Sequence, residues 1–157
     1  MKEFDIFTGV RNIKVSIPEK NFLYYATHKD YTPSVTQDEL ICKALDNPIG
    51  TKPLEEEIQR DAKVVILVDD VTRPTPCKSI IPHILERVER KTKNITFVTA
   101  PGTHRPLTDE ELDLKIGKDL LQKYGVVNID YRREEDFEYI GDMPSGTPLY
   151  IHKAVLS

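Results

Sequence analysis

A chain of 157 residues, 39% hydrophobic and 31% charged, can bury one sizeable core and is not a disordered composition. Its 22 Lys and Arg against 26 Asp and Glu leave a net charge of −4, which gives no electrostatic case for a nucleic-acid partner. No apolar run approaches the roughly 18–20 residues of a membrane helix, and the two cysteines, Cys42 and Cys77, lack metal or redox spacing. No signal-like region opens the chain, so the expectation is a cytoplasmic protein with no membrane partner.

Phe4, Ile6, Ile13, Val15 and Ile17 alternate with polar residues across a turn at Gly9, the pattern of an antiparallel hairpin at a sheet edge. Asn21 to Thr27 is aromatic-rich and reads as a short strand or a packing arm. Thr36-Gln37-Asp38-Glu39 is a capping box, opening a helix that buries Leu40, Ile41, Ala44 and Leu45 and stops at Asn47–Gly50. Pro53 introduces a short acidic helix over Leu54–Arg60.

Val64–Val68 is a short β-branched run without alternation, the pattern of a strand buried on both faces. The helix after it carries Ile80, Ile81, Ile84, Leu85 and Val88 on one face. Pro82 fits best in a first turn, which places the start near Ser79, with a kinked helix from Thr75 as the alternative. A second strand follows at Ile95–Thr99. The capping box Thr108–Glu111 then opens a helix with Leu112 and Ile116 inward and Gly117 at its end. A short helix over Asp119–Tyr124, a third parallel strand over Val126–Tyr131 and a solvated charged loop over Arg132–Asp136 follow. Tyr139–Gly141, the turn Pro144–Gly146 and Thr147–Val155 form a closing hairpin. These elements predict one α/β domain over residues 1–157, a three-layer Rossmann-like sheet, mainly parallel, with antiparallel hairpins at the edges. The apolar run at Leu149–Leu156 directly before Ser157 suggests a piece of a longer protein.

In open α/β sheets, ligands bind at the carboxyl ends of the strands. Two polar, proline-braced loops lie there: Asp69-Asp70-Val71-Thr72-Arg73-Pro74-Thr75-Pro76 and Ala100-Pro101-Gly102-Thr103-His104-Arg105-Pro106. The Arg73 guanidinium matches a carboxylate or a phosphate, and it equally suits an internal pair with Asp69 or Asp70 that braces the loop. His104 is suited to proton transfer near neutral pH, although a lone loop histidine is more often a hydrogen-bonded surface residue. Asp69 and Asp70 are adjacent, so their carboxylates should diverge. His28, His83 and His152 show no ligand spacing, and neither GxGxxG nor the P-loop pattern occurs. Cys77, a loop thiol without a nearby base, reads as inert, and Thr72 and Thr75 read as turn and cap residues.

These two loops resemble the N-terminal domain of the nickel-pincer-nucleotide-dependent lactate racemases. Further matching stretches are Ala44–Gly50, Leu107–Leu112 and Gly141–Gly146, in order from about residue 36 onward. The resemblance implies racemisation or epimerisation of a small 2-hydroxy acid by reversible hydride abstraction from the substrate Cα by a nickel-pincer nucleotide. It makes His104 one of two acid/base histidines and places Arg73 on the substrate. Asp70 and Thr72 would hold the cofactor or orient the arginine, while the tethering lysine, the nickel-ligating histidine and the second catalytic histidine lie outside this chain. The chain is then the N-terminal portion of a two-domain enzyme, inactive alone, or a subunit completed by another polypeptide. The alternative is a non-catalytic anion- or nucleotide-binding α/β module.

Overall fold

The computed structural model describes residues 1–27 and 32–156, so His28 and Ser157 lie outside the described residues. The chain divides into two units, Met1–Ser34 and Val35–Ser157. In the first, strands β1 (Lys2–Phe7) and β2 (Asn12–Ile17) pair antiparallel, with Lys2 opposite Ile17. The turn needs Gly9 at φ +88°, a region that disfavours any side chain. The hairpin is a two-stranded sheet of its own and shares no ladder with the parallel sheet. After a 3₁₀ turn at Glu19–Asn21, the aromatic segment is an arm and not a strand. Phe22 and Tyr25 stack on Phe4 with ring centroids 5.2 and 4.9 Å apart.

In the second unit, Thr36 caps helix α1 (Gln37–Asp46) with both halves of the capping box made. Only part of its predicted apolar face is covered: Ile41 and Leu45 are half-buried, whereas Leu40 and Ala44 are exposed. Helix α2 (Leu54–Glu57) stops short of the expected Arg60, because Ile58 is already extended and Asp61 turns the chain at φ +60°.

Strand β3 (Val64–Asp69), helix α3 (Cys77–Val88), strand β4 (Ile95–Ala100), helices α4 (Asp109–Lys115) and α5 (Lys118–Lys123), and strand β5 (Gly125–Val127) build the core. The sheet is parallel in the order β3-β4-β5. Phe97, Val98 and Thr99 of the central strand are fully buried, and Tyr124 meets Phe97 edge-on at 5.8 Å. Their neighbours in the core come from α3 (Ile81, Leu85, Val88) and α4 (Leu112, with Ile116 just beyond it).

Three expectations change here. Strand β3 is not buried on both faces. It lies at the edge of the parallel sheet, with Val64, Ile66 and Val68 on the core and Leu67 57% exposed. Helix α3 starts at Cys77, two residues before Ser79, and carries Pro82 inside it. The helix runs on through Val88 with one backbone bond fewer, since Pro82 has no N–H to give. Strand β5 is shorter than Val126–Tyr131, because side chains take over the pairing from Asn128. The Ile129 N–H donates to Thr99 Oγ1 at 3.0 Å, and that hydroxyl donates to Asn128 Oδ1 at 3.1 Å.

The closing hairpin, β6 (Phe137–Asp142) and β7 (Pro148–His152), is again a separate two-stranded sheet. The predicted strand to Val155 ends early, at His152. His152 Nδ1 accepts from the Ala154 N–H at 3.1 Å, and residues Lys153–Leu156 form a helical turn, α6.

Candidate functional site

Parallel register decides what meets at the end of the sheet. Val64 pairs with Ile95 and the pairing runs unbroken to Asp69 opposite Ala100, so β3 and β4 end level and their loops leave side by side. Asp69, Asp70, Thr72 and Arg73 from one loop, with Ala100, Gly102, Thr103 and His104 from the other, line a cleft of about 240 Å³. A second cleft, of about 300 Å³, shares Asp70, Thr72 and His104 with the first and is walled by Val71, Leu107 and Glu111.

The two aspartates diverge as adjacent residues on an extended chain must. Asp69 turns to the helix side. Its Oδ1 accepts from Lys115 Nζ at 2.6 Å, with the Cys77 thiol 3.6 Å away, and its Oδ2 accepts from Thr75 Oγ1. Burial works against its charge, but Lys115 and Thr75 outweigh that and hold its pKa below the usual value. Lys115 is itself buried and also donates to the Arg73 carbonyl at 2.9 Å, which ties the middle of the loop to α4. The Cys77 thiol is pushed up, chiefly by burial, in keeping with an inert role.

Asp70 turns the other way and is buried. Its Oδ1 accepts from the Thr72 hydroxyl at 2.6 Å and the Thr72 N–H at 3.0 Å, and its Oδ2 is bonded to His104 Nδ1. The Thr72 hydroxyl first, then His104, lower its pKa to about 2. An ionised Asp70 only accepts, so Nδ1 carries the proton, and Nε2 of a neutral His104 keeps its lone pair. Gly102, at φ +61°, makes the turn that lets the His104 N–H donate to the Pro101 carbonyl at 3.1 Å.

Among the described residues the Arg73 guanidinium has no ion pair or hydrogen bond; only its backbone is held, by Asp70 and Lys115. The internal Asp–Arg brace is therefore absent, since both acids are committed elsewhere. The neighbouring Arg105 is different. It grips Glu111 in a bidentate pair at 2.7 and 2.8 Å and so anchors its loop to α4. That pair first, and the Thr108 N–H next, bring the Glu111 pKa to about 2. The loop exit is fixed by Asn128, whose side chain bonds both the N–H and the carbonyl of Leu107, at 3.1 and 2.7 Å.

His104 and Arg73, picked out from the sequence, thus share one cleft, with Asp70 and Thr72 beneath the histidine. Lys115, Glu111 and Asn128 were missed. Lys115 stands between Leu112 and Ile116 on the inward face of its helix, and a lysine at such a position was the one signal available. Among the described residues no group of three or more His, Cys, Asp or Glu side chains could hold a metal ion. The donors facing the cleft suit contact with an anionic group and offer no ligand set for nickel.

The lactate racemase N-terminal domain family matches residues 8–157. The chain is 32% identical over 157 residues to the lactate racemase of Thermoanaerobacterium thermosaccharolyticum, covering 98% of this chain and 37% of that protein. The figures are the same for the lactate racemase of Lactiplantibacillus plantarum. The structure of the lactate racemase apoprotein from Thermoanaerobacterium thermosaccharolyticum superposes with a TM-score of 0.84 at 30% identity, over 99% of this chain and 37% of that one. A Thermotoga maritima protein shares the fold at a TM-score of 0.60 and 19% identity, over 76% of this chain. The chain therefore spans a little over a third of the length of the curated relatives it matches.

Proposed function

The chain belongs to the lactate racemase N-terminal domain family, and from that premise we propose that it supplies one wall of the active site of a 2-hydroxy acid racemase or epimerase. The rest of the site would come from a C-terminal portion or a complementary subunit. The observation that supports this most is the Asp70–His104 pair, which leaves Nε2 available in one cleft with Arg73, whose guanidinium is unpaired among the described residues.

In this reading Arg73 grips the substrate carboxylate through its fork of N–H donors, which aims the 2-hydroxyl at His104. His104 Nε2 takes the hydroxyl proton as the Cα loses its hydrogen and returns it on reversal. Asp70, held by Thr72, fixes the tautomer and stabilises the imidazolium, which makes it a positioning residue. Asp70 and Thr72 spend their polar atoms on each other and on His104, so they act through the histidine. A nickel-pincer nucleotide, when bound, supplies the acceptor for the Cα hydrogen and its electron pair. The tether and nickel ligands for that group would come from outside this chain.

The test is turnover of a panel of 2-hydroxy acids, lactate first, by the cofactor-loaded full-length protein. His104→Ala should lower kcat by roughly 10²–10⁴ with the KM little changed. Arg73→Lys should act mainly on kcat/KM, because an ammonium cannot make the bidentate contact. The isolated chain should leave pure L-lactate unchanged. A His104→Ala protein that loses only affinity would instead favour an anion-binding module, the reading that the free Arg73 alone supports.

A further inference from the structure

Away from the sheet end, α1 and α3 bring together three side chains that the proposed reaction does not use. Cys42 Sγ lies 3.4 Å from His83 Nδ1, and His83 Nε2 lies 3.2 Å from Asp38 Oδ1. Asp38 and Cys42 are four residues apart on α1, hence on one face, and His83 reaches them from the facing turn of α3. The order is thiol, imidazole, carboxylate, with the base between the nucleophile and the group that orients it. That geometry marks an activated nucleophile. Just behind it lies Arg87, buried on α3, whose guanidinium is paired with Asp46 at 2.5 Å and Glu55 at 3.3 Å. The Asp46 bond above all, with a smaller contribution from the Cys42 sulfur, favours its charged form. The charged and titratable groups around the sulfur are thus Asp38 and Asp46 from α1, His83 and Arg87 from α3, and Glu55 from α2.

We propose that Cys42 is a reactive thiol, deprotonated by His83 under the orientation of Asp38, and that it is a site of reversible thiol–disulfide exchange with small disulfides. Cys42 is half-buried, whereas Cys77, the other cysteine, is buried against Asp69. His83 takes the thiol proton, and the Cys42 thiolate attacks one sulfur of the disulfide. A new S–S bond forms as the old one breaks. The leaving thiolate collects the proton from His83, so one disulfide and one thiol give one mixed disulfide and one thiol. The modified sulfur can no longer keep its contact with His83, so the α1–α3 junction loosens. The site is independent of the proposed racemase reading.

The experiment follows labelling of the native protein by a chromogenic aromatic disulfide and by oxidised glutathione at pH 7, with mass spectrometry to locate the adduct. One fast thiol, assigned to Cys42 and absent in Cys42→Ser, is expected, while Cys77 reacts only on unfolding. Its rate should exceed that of free glutathione by roughly tenfold, since an ordinary thiol is only a few per cent thiolate at this pH. His83→Gln should remove that advantage. Asp38→Asn, at an exposed position that does not threaten the fold, should do so in part. The proposal fails if native Cys42 reacts no faster than glutathione. It fails equally if Asp38→Asn and a folded His83→Gln both leave the rate unmoved.

Discussion

Asp70 is the residue on which the site turns, because it uses both carboxylate oxygens within the chain. Its pKa falls from 3.8 to about 2 on folding, with the Thr72 hydroxyl as the first cause and His104 as the second. A lowered acid pKa adds stability that is complete above the unfolded value and is lost as the pH falls through the folded one. The stability advantage of the wild type over Asp70→Asn should therefore hold at pH 6 and shrink between about pH 4 and pH 2, as read from urea midpoints across that range. An unchanged gap at pH 2 would mean that the carboxylate is not what Thr72 and His104 stabilise. Arg73 and His104 could be picked out from residue type and loop position. Which acid would serve the histidine could not, because Asp69 and Asp70 read alike until the strand end sends one to Lys115 and the other to His104.

At the scale of elements, α4 holds the site from below. Its first turn carries Glu111, which grips Arg105, and its last residue is Lys115, which grips Asp69 and the Arg73 carbonyl. The capping box that starts it was legible from Thr108-Asp109-Glu110-Glu111, and both halves are made. Thr108→Ala should cost about 1 kcal/mol of folding stability, measured by chemical denaturation, and should loosen both loops together. A loss confined to the Arg105 loop would show that Lys115 holds its own end without the cap. Pro82 shows where local reading stops. A proline inside a helix is disfavoured, so a start at Ser79 was the local optimum. Burial of Cys77 and Ile81 against the core outweighs one missing hydrogen bond, and α3 begins at Cys77. Likewise β3 carries apolar residues on both faces, and only the strand order shows that it is an edge.

For the whole molecule, the apolar core of the second unit gathers residues from Leu54 to Val126. Removing the first 34 residues, so that the chain starts at Val35 just ahead of the Thr36 cap, should leave the parallel sheet folded. The thermal unfolding of the sheet domain should then move by only a few degrees, and its far-ultraviolet spectrum should lose mainly strand signal. Loss of cooperative unfolding would show that the hairpin completes the core.

The sequence by itself determined the local grammar of this protein. Capping boxes, β-branched runs and proline-braced loops are written in short windows of chain, and they specified α/β architecture, the helix that carries the brace, and the two loops that carry Arg73 and His104. Only the tertiary structure decided partnership. Parallel register sets the ends of β3 and β4 level, which brings Asp70 under His104 and, among the described residues, leaves the Arg73 guanidinium unpaired. The packing of α1 on α3 sets Cys42 against His83 across 41 residues of sequence. Contacts between distant residues depend on strand order and helix docking, which are properties of the closed core and have no signature in any single stretch.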